Sequence, residues 1–137
     1  MRLYNVNGRL VNKNVSSYVI NWDGKSRSNI QFQVKQFLKP YWHNMIMYEE
    51  FPVYGSLLKV DLLNATLKIA IEVHGPQHEQ LHFFHNGKKA NFIASIKNDF
   101  KKQDWLEKNN FQLVEIYDYE ISSICCDFFK NKFNITL

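Results

Sequence analysis

Three apolar runs, residues 45–53 (MIMYEEFPV), 57–63 (LLKVDLL) and 67–73 (LKIAIEV), follow one another with only YGS and NAT between them. Three-residue linkers are too short for the crossover that parallel neighbours require, and Gly, Ser, Asn and Thr supply turn conformations. The runs therefore predict an antiparallel meander. Around it the periodicity changes. Ser28 with Gln31 forms a capping-box pattern, Ile30, Val34, Phe37 and Leu38 recur at helical spacing, and Pro40 is a stop, so a helix is expected over 28–39. A second helix is expected over 91–108, a strand over 111–117 (FQLVEIY) and an amphipathic helix over 120–133. The order is α, β, β, β, α, β, α. A strand that follows a crossover helix can lie parallel to a meander strand, which gives a single-domain α/β fold: a mixed sheet flanked by helices. Residues 1–27 read as an N-terminal extension with one short strand at 17–22 (SYVINW), and residues 28–137 as the domain itself.

The chain has 137 residues, 45% of them hydrophobic, enough for one core. Seventeen Lys and Arg against thirteen Asp and Glu give a formal charge of +4, which suits an anionic partner. No segment approaches the roughly 18 consecutive apolar residues of a membrane span, and the first residues lack a signal-peptide core, so no membrane partner and a cytoplasmic location are expected. Cys125 and Cys126 are adjacent, which suits neither a disulfide framework nor a zinc knuckle.

The polar residues inside the apolar runs carry the chemistry. In a strand, alternate residues share a face, so Glu72 and His74 project together, and a tight turn brings Asp61 of the preceding strand beside Glu72. Two carboxylates converging on one sheet face repel unless a cation lies between them, and hard oxygen ligands on a partly open site select Mg²⁺. On the second helix Asp99 falls within the apolar arc of Phe92, Ile93, Ile96, Phe100 and Leu106, where an acid needs a partner: Lys102 three residues on, or the site on the sheet. Of the adjacent acids Glu49 and Glu50, one is expected to face solvent and the other the carboxylates, with Glu50 preferred. His74, His78, His82 and His85 also admit a zinc reading, but Gly75 and Pro76 break the helix that a four-residue His spacing would need.

Asp61, Glu72-x-His74, the GPQH turn to His78, and the helix bearing Asp99, Lys102, Trp105 and Leu106 resemble the core of the PD-(D/E)xK nucleases over about residues 28–120. With His74 in place of the Lys, the pattern is similar to the very-short-patch-repair endonucleases and to phage and homing endonucleases of the EDxHD type. The resemblance implies a restriction-endonuclease-like αβββαβ core and Mg²⁺-dependent DNA cleavage, with Mn²⁺ as a substitute metal. Asp61, Glu72 and the Val73 carbonyl would hold the metal. His74 would act as general base, His78 would serve the leaving group or the phosphate, and Asp99 and Glu50 would complete the site. Lys88, Lys89, Lys97 and Lys102 would meet DNA phosphates. Many relatives carry an acid on the first helix, where this chain has Gln31 and Gln33. The cysteine ligands of the repair enzymes' structural zinc are missing too, which favours the phage or homing type, acting in the host cytoplasm where a phage encodes it. No small-molecule cofactor is implied. One site per chain should nick, and cutting both strands needs a homodimer or successive nicks. A basic module that grips nucleic acid without cutting it is the competing expectation.

Overall fold

The computed structural model describes residues 1–76 and 89–137. Its elements in chain order are β1 (Arg2–Tyr4), β2 (Leu10–Asn12), α1 (Asn29–Trp42), β3 (Met47–Pro52), β4 (Lys59–Asn64), β5 (Ile69–His74), α2 (Lys89–Lys108), β6 (Gln112–Tyr117) and α3 (Cys126–Phe133). The first two strands form a separate antiparallel hairpin; the other four form one sheet in the order β3-β4-β5-β6. Both meander contacts are antiparallel and β6 lies parallel to β5, as expected for a strand entered through a crossover helix.

Alternation along the strands builds a core on each face. Leu62, Ile71, Val114 and Ile116 pack with Val34, Leu38 and Trp42 of α1 and Phe129 of α3. On the other side Leu63 and Ala70 pack with Trp105 and Leu106 of α2. Asp61 and Glu72 are in phase with Leu63 and Ala70, so their side chains leave the sheet on the α2 side.

Four local expectations are corrected. Helix α1 runs past Pro40 to Trp42. A proline this close to the end removes one backbone donor in the last turn, while His43 N–H still reaches Lys39 O at 3.0 Å and Trp42 is buried. The segment 17–22 is not a strand: Ser16–Tyr18 is a 3-10 turn, and pairing is limited to a Val19–Tyr48 bridge. The strands of the N-terminal region are β1 and β2, and Leu3 and Val15 enter the core beside Trp105. The last helix is split, a 3-10 turn over Asp118–Ser123 preceding α3.

The fourth correction concerns α2. Ile93, Ile96 and Phe100, expected on a buried stripe, are exposed, Phe100 by 72%, and Asp99 is exposed with them. Among the side chains described on this helix, the large apolar ones that are buried are Trp105 and Leu106, in its C-terminal turns. A periodic stripe requires an amphipathic helix, but not that every turn has a facing layer.

Candidate active site

The sheet register places the acids. Leu62 faces Ile71 across β4 and β5, and the next position toward the open end sets Asp61 opposite Glu72. In the parallel pair Glu72 faces Glu115, and His74 faces Tyr117. On the other flank Glu49 faces Leu62 and Phe51 faces Val60, leaving Glu50 opposite Asp61. A row of four acids, Glu50, Asp61, Glu72 and Glu115, thus crosses the sheet.

The two central acids are both 94% buried. The β4–β5 ladder stops at Leu62 and Ile71, and the Val73 N–H donates instead to Asp61 Oδ2 at 2.8 Å. A strand residue turns its N–H and C=O toward the same neighbour, so the Val73 carbonyl is directed to the same edge. Lys102 of α2 sets its Nζ 2.7 Å from Glu72 Oε1. Burial, and then the negative charge of Asp61, push the Glu72 carboxyl well above the usual carboxylate range, while Lys102 pulls it back. Lys102, which had Asp99 as a candidate partner, is paired to the sheet.

These groups floor a cavity of about 600 Å³. Asp61, Glu72, Val73 and His74 form its base, Asp99 and Lys102 come from α2, and residues 27–31 at the start of α1 form the opposite wall. That wall is held by a cap and an anchor. Ser28 Oγ accepts the Gln31 N–H at 3.1 Å, but the Gln31 side chain does not close the capping box. It donates to Glu49 Oε2 and Glu50 Oε1 at 2.9 and 3.1 Å. Both acids are half-buried, and Glu49 is the more heavily bonded: besides Gln31 it accepts from Ser26 Oγ at 2.6 Å and from Lys35 Nζ at 3.0 Å. Glu50 adopts φ +52°, is half-buried, and meets the cavity only through Gln31.

The remaining expected residues divide. Asp61, Glu72, Val73, His74, Asp99 and Lys102 are brought to one cavity. Lys97 lies elsewhere on α2, beside Ile96, Phe100 and Lys101. His78 and Lys88 lie outside the described residues, as does the side chain of Lys89; His82 and His85, on which a zinc cluster would rest, do so too. Sequence reading missed Arg27, Lys35 and Glu115. Glu115 was findable in principle, since LVEIY puts it in phase with Tyr117, but its placement depends on the β5–β6 register.

The donors fit a hard divalent cation. Two adjacent buried carboxylates and a strand-edge carbonyl supply oxygen only, and Mg²⁺ is commonly held by one or two carboxylates with water and substrate oxygens completing the shell. Among the described residues there is no group of three or more His, Cys, Asp or Glu side chains arranged to hold a metal by themselves.

Comparison with known proteins finds a similarity to "Uncharacterized protein 033L" of Invertebrate iridescent virus 3, 29% identical over 75 residues. The match covers 53% of this chain and 38% of that protein, so the chain spans well under two thirds of the relative's length. No family model and no solved structure matches. Among the described residues no helix is long and apolar enough to cross a membrane.

Proposed function

We propose that this chain is a Mg²⁺-dependent endodeoxyribonuclease of the PD-(D/E)xK type, hydrolysing DNA phosphodiester bonds. The observation that carries the reading is the pairing of Asp61 and Glu72, two buried carboxylates aligned across β4 and β5 at the floor of an open cavity that also holds His74 and Lys102. Keeping two acids side by side out of water is costly, and a fold retains such a pair where a cation or a reaction uses it. When bound, the cation would polarise the scissile phosphate and stabilise the departing oxygen, with Mn²⁺ as a substitute. Asp61, Glu72 and the Val73 carbonyl would hold it. His74 accepts the proton of the attacking water, for which neutral imidazole is suited near pH 7. Lys102 and Arg27, on opposite walls, supply positive charge to the phosphate backbone. A monomer with this single site nicks; a double-strand cut requires two chains or two events.

One contact favours a second reading. The Lys102–Glu72 ion pair already gives Glu72 a protein cation, as expected of a basic module that binds nucleic acid without cleaving it. Supercoiled plasmid separates the two. With Mg²⁺, the nuclease converts it to open circles or linear DNA; EDTA, Asp61→Asn and His74→Ala abolish conversion, the last by at least about a hundredfold. Intact plasmid, bound with equal salt sensitivity by wild type and both variants, would establish the binding module instead.

A further inference from the structure

The parallel strand β6 gives His74 a partner. Glu115 and Tyr117 stand beside Glu72 and His74 in register, so all four leave the same face of the sheet. His74 Nε2 is sealed from solvent and lies 3.4 Å from Glu115 Oε1. The imidazole stacks on the Tyr117 ring with centroids 4.9 Å apart and planes 28° from parallel. Tyr117 is stacked in turn on Tyr119, centroids 5.6 Å apart, and Lys132 Nζ sits 5.4 Å from its ring centre. The imidazole is thus backed on its face by aromatic rings and on one edge by a carboxylate.

We propose that Glu115 is a positioning residue for His74: it holds the proton of the neutral imidazole on Nε2 and leaves Nδ1 as the nitrogen that takes the proton from the attacking water. A neutral imidazole carries one N–H and one lone pair, and an ionised carboxylate only accepts. Turning the Nε2 lone pair toward Glu115 would set two acceptors against each other; turning the N–H toward it makes a charge-assisted contact that can shorten when substrate enters. A sealed nitrogen also has no path to a water. The base is therefore Nδ1, and the proton it gains makes an imidazolium that the Glu115 charge stabilises from the far side.

The identity of the water rests on the nuclease reading, but the tautomer does not, and the test separates them. The full-length protein, labelled with ¹⁵N-histidine, is recorded at a pH where His74 is neutral, its signals assigned by their loss in His74→Gln. Wild type is expected to show the Nε2–H pattern. Glu115→Ala is expected to shift the His74 ring nitrogens and to lower kcat roughly tenfold to a hundredfold with KM little changed. Glu115→Gln, which keeps an acceptor oxygen, is expected to retain the Nε2–H pattern and recover part of kcat. Glu115 is 47% exposed on an edge strand, so these variants keep the fold. A dominant Nδ1–H form in wild type, or ring shifts unmoved by Glu115→Ala, overturns the inference; Nδ1–H would hand the orienting role to an acceptor on the cavity side, such as Asp99. An Nε2–H pattern in a protein that leaves plasmid intact overturns the nuclease reading, and with it the role given to Nδ1.

Discussion

Among the described residues two Glu–Lys pairs have one buried member each, Lys35 with Glu49 and Glu72 with Lys102, one on each face of the sheet, and their surroundings differ. Glu49 accepts from Lys35, Ser26 and Gln31, and the wholly buried Lys35 ammonium also donates to the Asn21 and Gly24 carbonyls at 2.9 and 2.7 Å. Every donor of that ammonium has an acceptor, and the pair ties α1 and β3 to the loop that leads into the cavity wall. Glu72 shares its site with a second acid. Its cation, Lys102, is 20% exposed, and Glu72 Oε1, although 2.7 Å from Lys102 Nζ, lacks a hydrogen bond of good geometry. The first pair is closed and the second remains open to a further cation. A buried ion pair alone is weak grounds for either stability or function; saturation of its hydrogen bonds is what separates the two roles.

The sharpest way to break the closed pair is Lys35→Met. It leaves the Glu49 carboxylate, its side chain 12% exposed, with only two neutral donors, and the expected loss is about 3–5 kcal/mol of unfolding free energy, read from urea or thermal denaturation. A loss under about 1 kcal/mol would mean that water reaches Glu49, and the contrast with Glu72 would fall away. The open pair is probed by adding a ligand: Mg²⁺ or Mn²⁺ at about a hundred times its Kd should stabilise wild type by about 2.7 kcal/mol. Calorimetry should show the increase absent in Asp61→Asn and smaller at pH 5 than at pH 8, because a proton on Glu72 competes with the metal.

How far the sequence announced these two regions follows from what period and composition encode. The meander, the crossover and β6 were legible because short linkers and apolar runs leave few topologies, and Asp61, Glu72 and His74 were legible because a titratable side chain inside or at the end of an apolar strand needs a reason. Lys35 was invisible: at helical spacing it reads as one more surface lysine, and only the fold of residues 21–26 over α1 surrounds it with acceptors. Glu49 and Glu50 could not be ordered from alternation, because Glu50 takes φ +52° and both acids reach Gln31. Asp99 and Phe100 were placed on a buried stripe by periodicity, which reports the side a residue occupies but not whether another layer covers that turn.

Smaller effects follow from the raised Glu72 carboxyl. Between the ordinary carboxylate range and its raised folded value, the folded chain holds a proton that the unfolded chain has released. Stability therefore falls as pH rises through that window. Glu72→Gln removes the slope, and without added metal it should be more stable than wild type at pH 8 by about 1–2 kcal/mol, a rise of several degrees in Tm, with the gap closing toward pH 4. A gap that stays constant with pH would mean that Glu72 is ionised throughout, held so by Lys102.

Lys102→Gln gives the smallest change and bears most directly on the contrast. Losing Lys35 leaves the Glu49 carboxylate with only the neutral donors Ser26 and Gln31. Losing Lys102 removes the one influence that lowers the Glu72 carboxyl, which then takes up a proton from solvent through the cavity. Toward the acid end of the window, where a raised carboxyl holds its proton with or without Lys102, the variant should approach wild type to within about 0.5 kcal/mol. At pH 8 it should lose about 1 kcal/mol, the cost of the additional protonation. Mg²⁺ should bind the variant at least as tightly as it binds wild type, since the ammonium that competes for Glu72 Oε1 is gone. If Lys102→Gln instead costs as much as Lys35→Met and abolishes metal-induced stabilisation, the two pairs are structurally equivalent, and Lys102 belongs to the scaffold rather than to a site that exchanges one cation for another.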